Sequence, residues 1–224
     1  MSWELANEPR PMRPTANEAY KSWILSAANL IKSLDKKHLV TIGAEGTQGT
    51  DGYAALFQEV HAYKNVDYLT IHIWPKNWSW FKDTSIVADL PQVISKSVDY
   101  IKQHEAIAKT LNKPLVLEEF GLPRDRQSFD PNTTTSSRNQ YYQAVFNEWK
   151  RSKNHAEPIA GCYFWAFGGT ARPIASQVFW KAGDDFMGDP PQEEQGLNAV
   201  FTTDFSTWNI IQKYSDNQLK ADKN

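Results

Sequence analysis

Five short, apolar, β-rich segments alternate along this chain with longer segments of helical period, and that alternation limits the fold more than any other feature. The strand-like segments cover residues 3–7, 38–43, 66–74, 114–120 and 159–167. Between the first two, Tyr20, Trp23, Ile24, Ala27, Leu30, Ile31 and Leu34 recur at helical spacing and so share one face. Thr15 followed by Glu18 has the form of a capping box at that helix's start. Ile94, Val98, Ile101, Ala108 and Leu111 make a second stripe, with Pro91 tolerable only near its beginning. Tyr141, Val145, Phe146 and Trp149 make a third, and residues 53–63 and 208–219 are expected to be shorter helices. Strand alternating with helix predicts an α/β fold with a parallel sheet and crossover helices. The connections are 43–52, 124–137 and 168–196; the last is long for a structureless link and is expected to be a binding loop.

The ends of the strands carry the chemistry. Glu8 follows the first, His72 and Trp74 end the third, Glu118 and Glu119 end the fourth, and Trp165 lies near the end of the fifth. In a parallel α/β barrel these C-terminal ends form one rim, where active sites lie. Strand parity supports convergence. Tyr68, Thr70, His72 and Trp74 share one face, opposite Leu69, Ile71 and Ile73, so His72 and Trp74 should point into the barrel mouth. Glu4, Ala6 and Glu8 likewise share a face, whereas Glu118 and Glu119 must diverge, and parity does not choose between them. Two carboxylates on facing strand ends suit glycosidic cleavage, one protonated to donate to the leaving oxygen and one ionised against the sugar carbon. A separation of about 5–5.5 Å gives retention and about 6.5–9.5 Å gives inversion. The plainer alternative is a set of salt-bridged structural acids.

Composition removes several other classes. The 224 residues carry 24 basic and 26 acidic side chains, a net charge of −2, which leaves no basic excess for a nucleic-acid or polybasic membrane partner. The single cysteine, Cys162, excludes an intramolecular disulfide framework and a Cys-rich zinc module. No apolar run approaches the ~18 residues of a membrane span, and the start lacks the form of a signal peptide. Asp184, Asp185 and Asp189 lack EF-hand spacing and are expected in a solvated loop; His61 has no evident metal partner. Neither metal nor cofactor is expected. Nine tryptophans are many for the length, and those in loops suit stacking on a flat ligand such as a sugar ring. Trp23 and Trp149 sit on helical stripes and are expected in the core, while Trp78 and Trp80 are either sugar platforms or the cover of a helix end.

The stretch SWELANEPR (2–10) together with PLVLEEFG (114–121) resembles glycoside hydrolase family 5. Through HIWPKNWSW (72–80) and CYFWAFGG (162–169) the likeness is nearest to its endo-β-1,4-mannanases. The resemblance implies a (β/α)8 TIM barrel and a retaining hydrolase of mannan, glucomannan or galactomannan. It places the general acid/base on Glu8 and the nucleophile on Glu119 rather than Glu118. It also implies that Asn7 bonds the sugar 2-hydroxyl, that His72 and Trp74 line the reacting-sugar site, that Trp165 forms its platform, and that Arg10 contacts the leaving-group side. Trp74 departs from the Tyr that many members carry, which alters the phenol's orienting bond to the nucleophile. The expected partner is a β-mannan or related polysaccharide, acted on outside the cell, at its surface or in the periplasm, because a polymer does not enter.

The resemblance places the acid/base at the end of the fourth barrel strand, so residues 1–224 are expected to supply strands 4–8 of one catalytic domain and to lack strands 1–3. Such an arc leaves unpaired edges that a closed barrel does not have. The chain by itself is therefore expected to be weakly active or inactive. The alternatives are a β-1,4-glucanase of the same family, a non-catalytic carbohydrate-binding fragment, and a truncated piece without a function of its own.

Overall fold

The computed structural model describes residues 2–82 and 84–221, with side chains up to residue 215. The backbone forms two compact units. One comprises Met1–Ile73, Tyr100–Glu119 and Arg151–Tyr163; the other comprises Trp74–Asp99, Phe120–Lys150 and Phe164–Asn224.

The first unit holds the strands. β1 (Ser2–Glu4) pairs in parallel with β2 (Leu39–Thr41), Ser2 opposite Leu39 and Glu4 opposite Thr41. β3 (Leu69–Ile73), β4 (Leu115–Phe120) and β5 (Ile159–Cys162) follow in that order, with β4 and β5 parallel. The Asp67 amide donates to Val40 O at 2.7 Å and the Thr41 hydroxyl to Tyr68 O at 3.0 Å, which ties β2 to the start of β3. Both faces of β3 are buried. Each Leu or Ile so enclosed contributes about 1.5–3 kcal/mol, so β3 is the firmest place on which to mount a functional side chain. Each of the five expected segments contains a strand, the first and the fifth only in part.

α1 (Asn17–Leu34) departs from expectation at both ends. A 3-10 turn, Pro14–Ala16, leads into it, and no side chain caps either start. Proline sets a helical φ one residue before Thr15, so Thr15 never takes the extended conformation that a capping box requires. Tyr20, Ile24 and Ala28 are buried, while Trp23, Leu30 and Leu34 are exposed. Apolar spacing marks a face; burial also needs something packed on it. α2 (Ala54–His61) places His61 against Phe57, with its Nδ1 2.7 Å from Phe57 O, and burial pushes the ring down to about 3. His61 is thus a neutral core residue.

α3 (Ile86–Leu111) and α4 (Ser136–Asn154) begin in the second unit. There Phe120 meets Tyr142 and Phe146 edge-on, with centroids 5.0 and 5.4 Å away, and Trp149 is only half-buried. The expected strand over 159–167 is broken. It stops at Cys162, and Phe167–Gly169 (β6) pairs instead with Val200–Phe201 (β7), a two-residue strand too short to show a period. The register of β5 against β4 already slips at Leu115/Val116, so the ladder does not extend to Phe167. α5 (Phe205–Ala221) closes the chain. Among the described residues no helix is long and apolar enough to cross a membrane.

A buried ionic cluster fixes the second unit. Arg124 Nη2 donates to both Asp204 oxygens, at 2.7 and 2.6 Å, and Phe201 N also donates to Asp204 at 2.8 Å. Fully buried Arg138 lies 3.6 Å from the same carboxylate and donates to the carbonyls of Leu122, Ala199 and Leu197. Asp204→Ala leaves two enclosed guanidiniums without their counter-charge, at a cost of about 3–5 kcal/mol. Urea unfolding should show a much lower midpoint; an unchanged midpoint would remove the cluster from any structural role.

Candidate active site

The approach of Glu8 to the other acids begins in the backbone. Beyond β1 the amides of Leu5, Ala6 and Glu8 donate to Thr41 O, Ile42 O and Gly43 O at 3.1, 3.3 and 2.9 Å. A Cβ on Gly43, whose φ is +78°, would stand 2.0 Å from Ala6 O, so only glycine permits this closeness. Glu8 itself has φ +47°. A single left-handed residue, rather than strand parity, therefore turns its side chain.

His72, buried on β3, receives that side chain. Its Nδ1 lies 2.9 Å from Glu8 Oε1 and 3.3 Å from Glu119 Oε2, and its Nε2 is 3.5 Å from Glu118 Oε2. The imidazole thus stands among three carboxylates. One donor atom from each of Glu8, His72 and Glu119 fits within 4.8 Å of the others, which bounds the separation of the two glutamate oxygens. Parity had Glu118 and Glu119 diverging. They do, but the ring between them is wide enough to be reached at one nitrogen by each.

The charges follow from this packing. Burial disfavours the imidazolium, yet Glu118, Glu8 and Glu119 outweigh it and raise His72 to about 10. Burial also acts on Glu8 in the upward direction, but the bond and charge of His72 and the charge of Arg10 prevail, so its pKa is lowered. Glu4, at the end of β1, is raised to about 7 by burial and by the Glu118 carboxylate. At neutral pH the shared protons therefore reside on His72 and partly on Glu4, and Glu8 is ionised.

Arg10 touches Glu8 at 3.5 Å, but its main partner is Glu45, to which Nε donates at 2.8 Å. Glu45 is fully buried; its carbonyl accepts from the Tyr100 hydroxyl at 2.8 Å and from the His72 amide at 3.3 Å. Burial and the charge of Glu8 raise its pKa. Sequence reasoning passed over Glu45, although it follows the second strand by the same strand-end rule that selected Glu8 and Glu119. Glu4 was placed on the inward face without a role. Asn7 is exposed beside Glu8. Glu8, Arg10, His72 and Glu119 are thus brought together within the first unit.

Trp74 and Trp165 belong to the second unit. A Cβ on Gly121 would stand 2.6 Å from Trp74 Cζ3 and 2.8 Å from Trp165 O, which explains the glycine after Phe120. Trp165 N donates to Phe120 O at 2.9 Å, and its peptide bond to Ala166 is cis. Trp78 and Trp80 meet edge-on at 5.0 Å, with Lys96 over Trp80. The expected solvated aspartates differ among themselves. Asp189 is buried, accepts from Gly196 N at 2.7 Å and is raised to about 6 by that burial, because the loop folds back on itself.

A profile described as GH family 5 beta-mannosidase-like matches residues 1–223. The chain belongs to glycoside hydrolase family 5. It is 30% identical over 180 residues to mannan endo-1,4-beta-mannosidase 2 of Arabidopsis thaliana, covering 74% of this chain and 40% of that protein. It is 31% identical over 199 residues to mannan endo-1,4-beta-mannosidase A of Aspergillus aculeatus, covering 83% and 45%. A solved family 5 mannosidase from Rhizomucor miehei superposes with a TM-score of 0.85 at 33% identity, covering all of this chain and 52% of that one. An endo-β-1,4-mannanase from Thermotoga petrophila shares the fold, at TM-score 0.63 and 23% identity. The family 5 chain thus spans about half the length of its solved relative and 40–45% of these curated ones, and its strands and helices are part of a TIM barrel.

His72→Gln removes the cation whose bond and charge lower the Glu8 pKa, so that pKa should rise above its ordinary value. Carboxyl-carbon NMR titration reads this directly, and an unmoved Glu8 would contradict the electrostatic account. The sign for stability follows. His72 binds its proton more tightly folded than unfolded, so its contribution is complete below about 6.5 and disappears as pH rises through about 10. Wild type and His72→Gln should therefore differ most in unfolding free energy at neutral to acid pH and converge in alkali.

Proposed function

We propose that the family 5 chain carries the cleavage site of a retaining endo-β-1,4-mannanase, acting on mannan, glucomannan or galactomannan outside the cell. It is read as a portion of one catalytic domain. The observation that carries this reading is the approach of the Glu8 and Glu119 carboxylates, whose nearer oxygens lie within 4.8 Å on either side of one imidazole nitrogen. An approach this close supports the short separation of retaining enzymes, about 5–5.5 Å between carboxyl groups. The names of the Arabidopsis and Aspergillus relatives support mannan as the polymer.

In this mechanism Glu119 attacks the anomeric carbon while Glu8 gives its proton to the departing oxygen. The glycosyl-enzyme is then opened by water, whose proton Glu8 takes. By the family resemblance Asn7 bonds the 2-hydroxyl and Arg10, 3.5 Å from Glu8, stands on the leaving-group side, and the same resemblance gives Trp74 and Trp165 sugar-contacting roles. Glu8 must first acquire a proton that His72 and Arg10 disfavour. A bound sugar supplies part of the correction, since expelling water penalises the ionised carboxylate.

A second reading concerns chain length. The matching profile is named for β-mannosidase, and a Rhizomucor miehei mannosidase variant was solved with mannosyl-fructose, a short saccharide. An exo-acting enzyme releases single mannose from chain ends, whereas an endo-acting one releases mixed oligosaccharides. Digestion of mannan and of mannohexaose by the purified chain, with products resolved by chromatography, separates the two; carboxymethylcellulose tests the β-1,4-glucanase alternative. Turnover should be weak, and Glu119→Gln or Glu8→Gln should reduce it by about 10²–10⁴-fold. Reducing-sugar release that survives Glu119→Gln would refute the assignment. Binding of mannan without turnover in wild type and variant alike would favour the non-catalytic reading.

A further inference from the structure

We propose that Asp189 is a positioning residue for Trp165: its buried carboxylate holds the indole by its one N–H and fastens the turn seated beside it. This rests on the mannanase reading above, in which Trp165 contacts the sugar. The residues concerned all lie in the second unit.

Trp165 stands in the gap between β5 and β6, outside both ladders. Its amide donates to Phe120 O at 2.9 Å, which fixes the backbone and leaves the side-chain torsions to be set by something else. The 168–196 loop supplies it. A Cβ on Gly188, whose φ is +94°, would stand 2.7 Å from Ala166 Cβ, so glycine lets the loop lie against the residue after Trp165. The next residue, Asp189, is 4% exposed, and its side chain hydrogen-bonds that of Trp165. An indole has one donor, Nε1–H, so this bond determines which edge of the ring faces the loop. Trp165 itself is half-buried.

The anchor is in turn held. Asp189 Oδ2 accepts from Gly196 N at 2.7 Å. Gln195 Nε2 braces the turn between them, donating to the carbonyls of Asp189, Pro190 and Glu193 at 3.3, 2.7 and 3.1 Å. Closing that turn needs an acceptor and not a charge; an amide oxygen would serve. A charge matters to the indole, because a bond to an ionised acceptor is roughly twice as strong as a neutral one. The charged groups facing Asp189 are Glu193 of the same loop and Arg138 of α4, which act in opposite directions, and burial raises the carboxyl to about 6. Above that pH the ionised group grips the indole. Below it the protonated group accepts more weakly, and the ring is less firmly set.

Indole proton–nitrogen correlation spectra of the 224-residue chain test this, with the Trp165 signal identified by its loss in Trp165→Phe. That signal should titrate with a midpoint of about 6. In Asp189→Asn it should shift and cease to titrate, with no fall in melting temperature, since burial disfavours the charge that the variant removes. Mannotriose affinity at neutral pH, read by calorimetry, should weaken about three- to tenfold in the same variant. A Trp165 signal unmoved between about pH 5 and 7, or one that still titrates in Asp189→Asn, overturns the proposal; the wild-type titration decides the first point even where Asp189→Asn does not fold. Mannotriose bound equally by wild type and Asp189→Asn overturns it as well and leaves the mannanase reading intact. No mannotriose binding by wild type, with the indole signal titrating as expected, overturns the mannanase reading and the sugar-positioning role with it.

Discussion

A protonated imidazole enclosed by three carboxylates is the interaction on which the site depends. Glu8, Glu118 and Glu119 come from distant parts of the chain, and like charges this close cannot all remain ionised without a cation among them. His72 supplies it from the most fully buried strand, which places the charge where water does not screen it. Arg10 and Glu45 repeat the device one step outward, a guanidinium shared between a buried acid and Glu8. Burial first, and then the neighbouring carboxylates of Glu118 and Glu8, raise the pKa values of Glu4 and Glu45 respectively.

The same electrostatics separate holding a site from operating it. An acid that must donate a proton needs a raised pKa, whereas Glu8 is held ionised by the neighbours that bring it into place. Proton affinity in this chain is concentrated on His72 and Glu4 instead. Anything that excludes water near Glu8, or draws His72 toward Glu118, raises the proton affinity of Glu8.

Much of this was legible in the sequence where period and chemistry coincide. Parity on the third strand was enough to put His72 inside, because a five-residue strand with both faces covered obeys the period of two. The same rule gave the right destination for Glu8 by the wrong route, since β1 ends at Glu4 and a left-handed residue completes the turn. Glu45 escaped because it stands two residues beyond the expected strand, past a glycine, where alternation has already lapsed. The capping box failed for a comparable reason. Pro14 commits the backbone one residue too early, and a local motif has no means of registering what precedes it. Pairing of β6 with β7 joins residues about thirty apart, through a loop whose order comes from backbone and side-chain bonds rather than from any hydrophobic period.

The tryptophans show how far composition carries. Nine in 224 residues pointed to stacking on a sugar. Yet Trp208 and Trp74 act first as walls, the one behind Phe167 and the other over Gly121. An indole packed against backbone is held by many dispersion contacts at small entropic cost, so it makes a rigid backing for whatever ring lies in front. The exposed aromatic surface around β6 then falls to phenylalanine, which has no polar tip to satisfy and contributes only its face. An abundance of tryptophan in this chain thus marks places where backbone and neighbouring rings are packed closely, a role that composition by itself does not separate from stacking on a sugar.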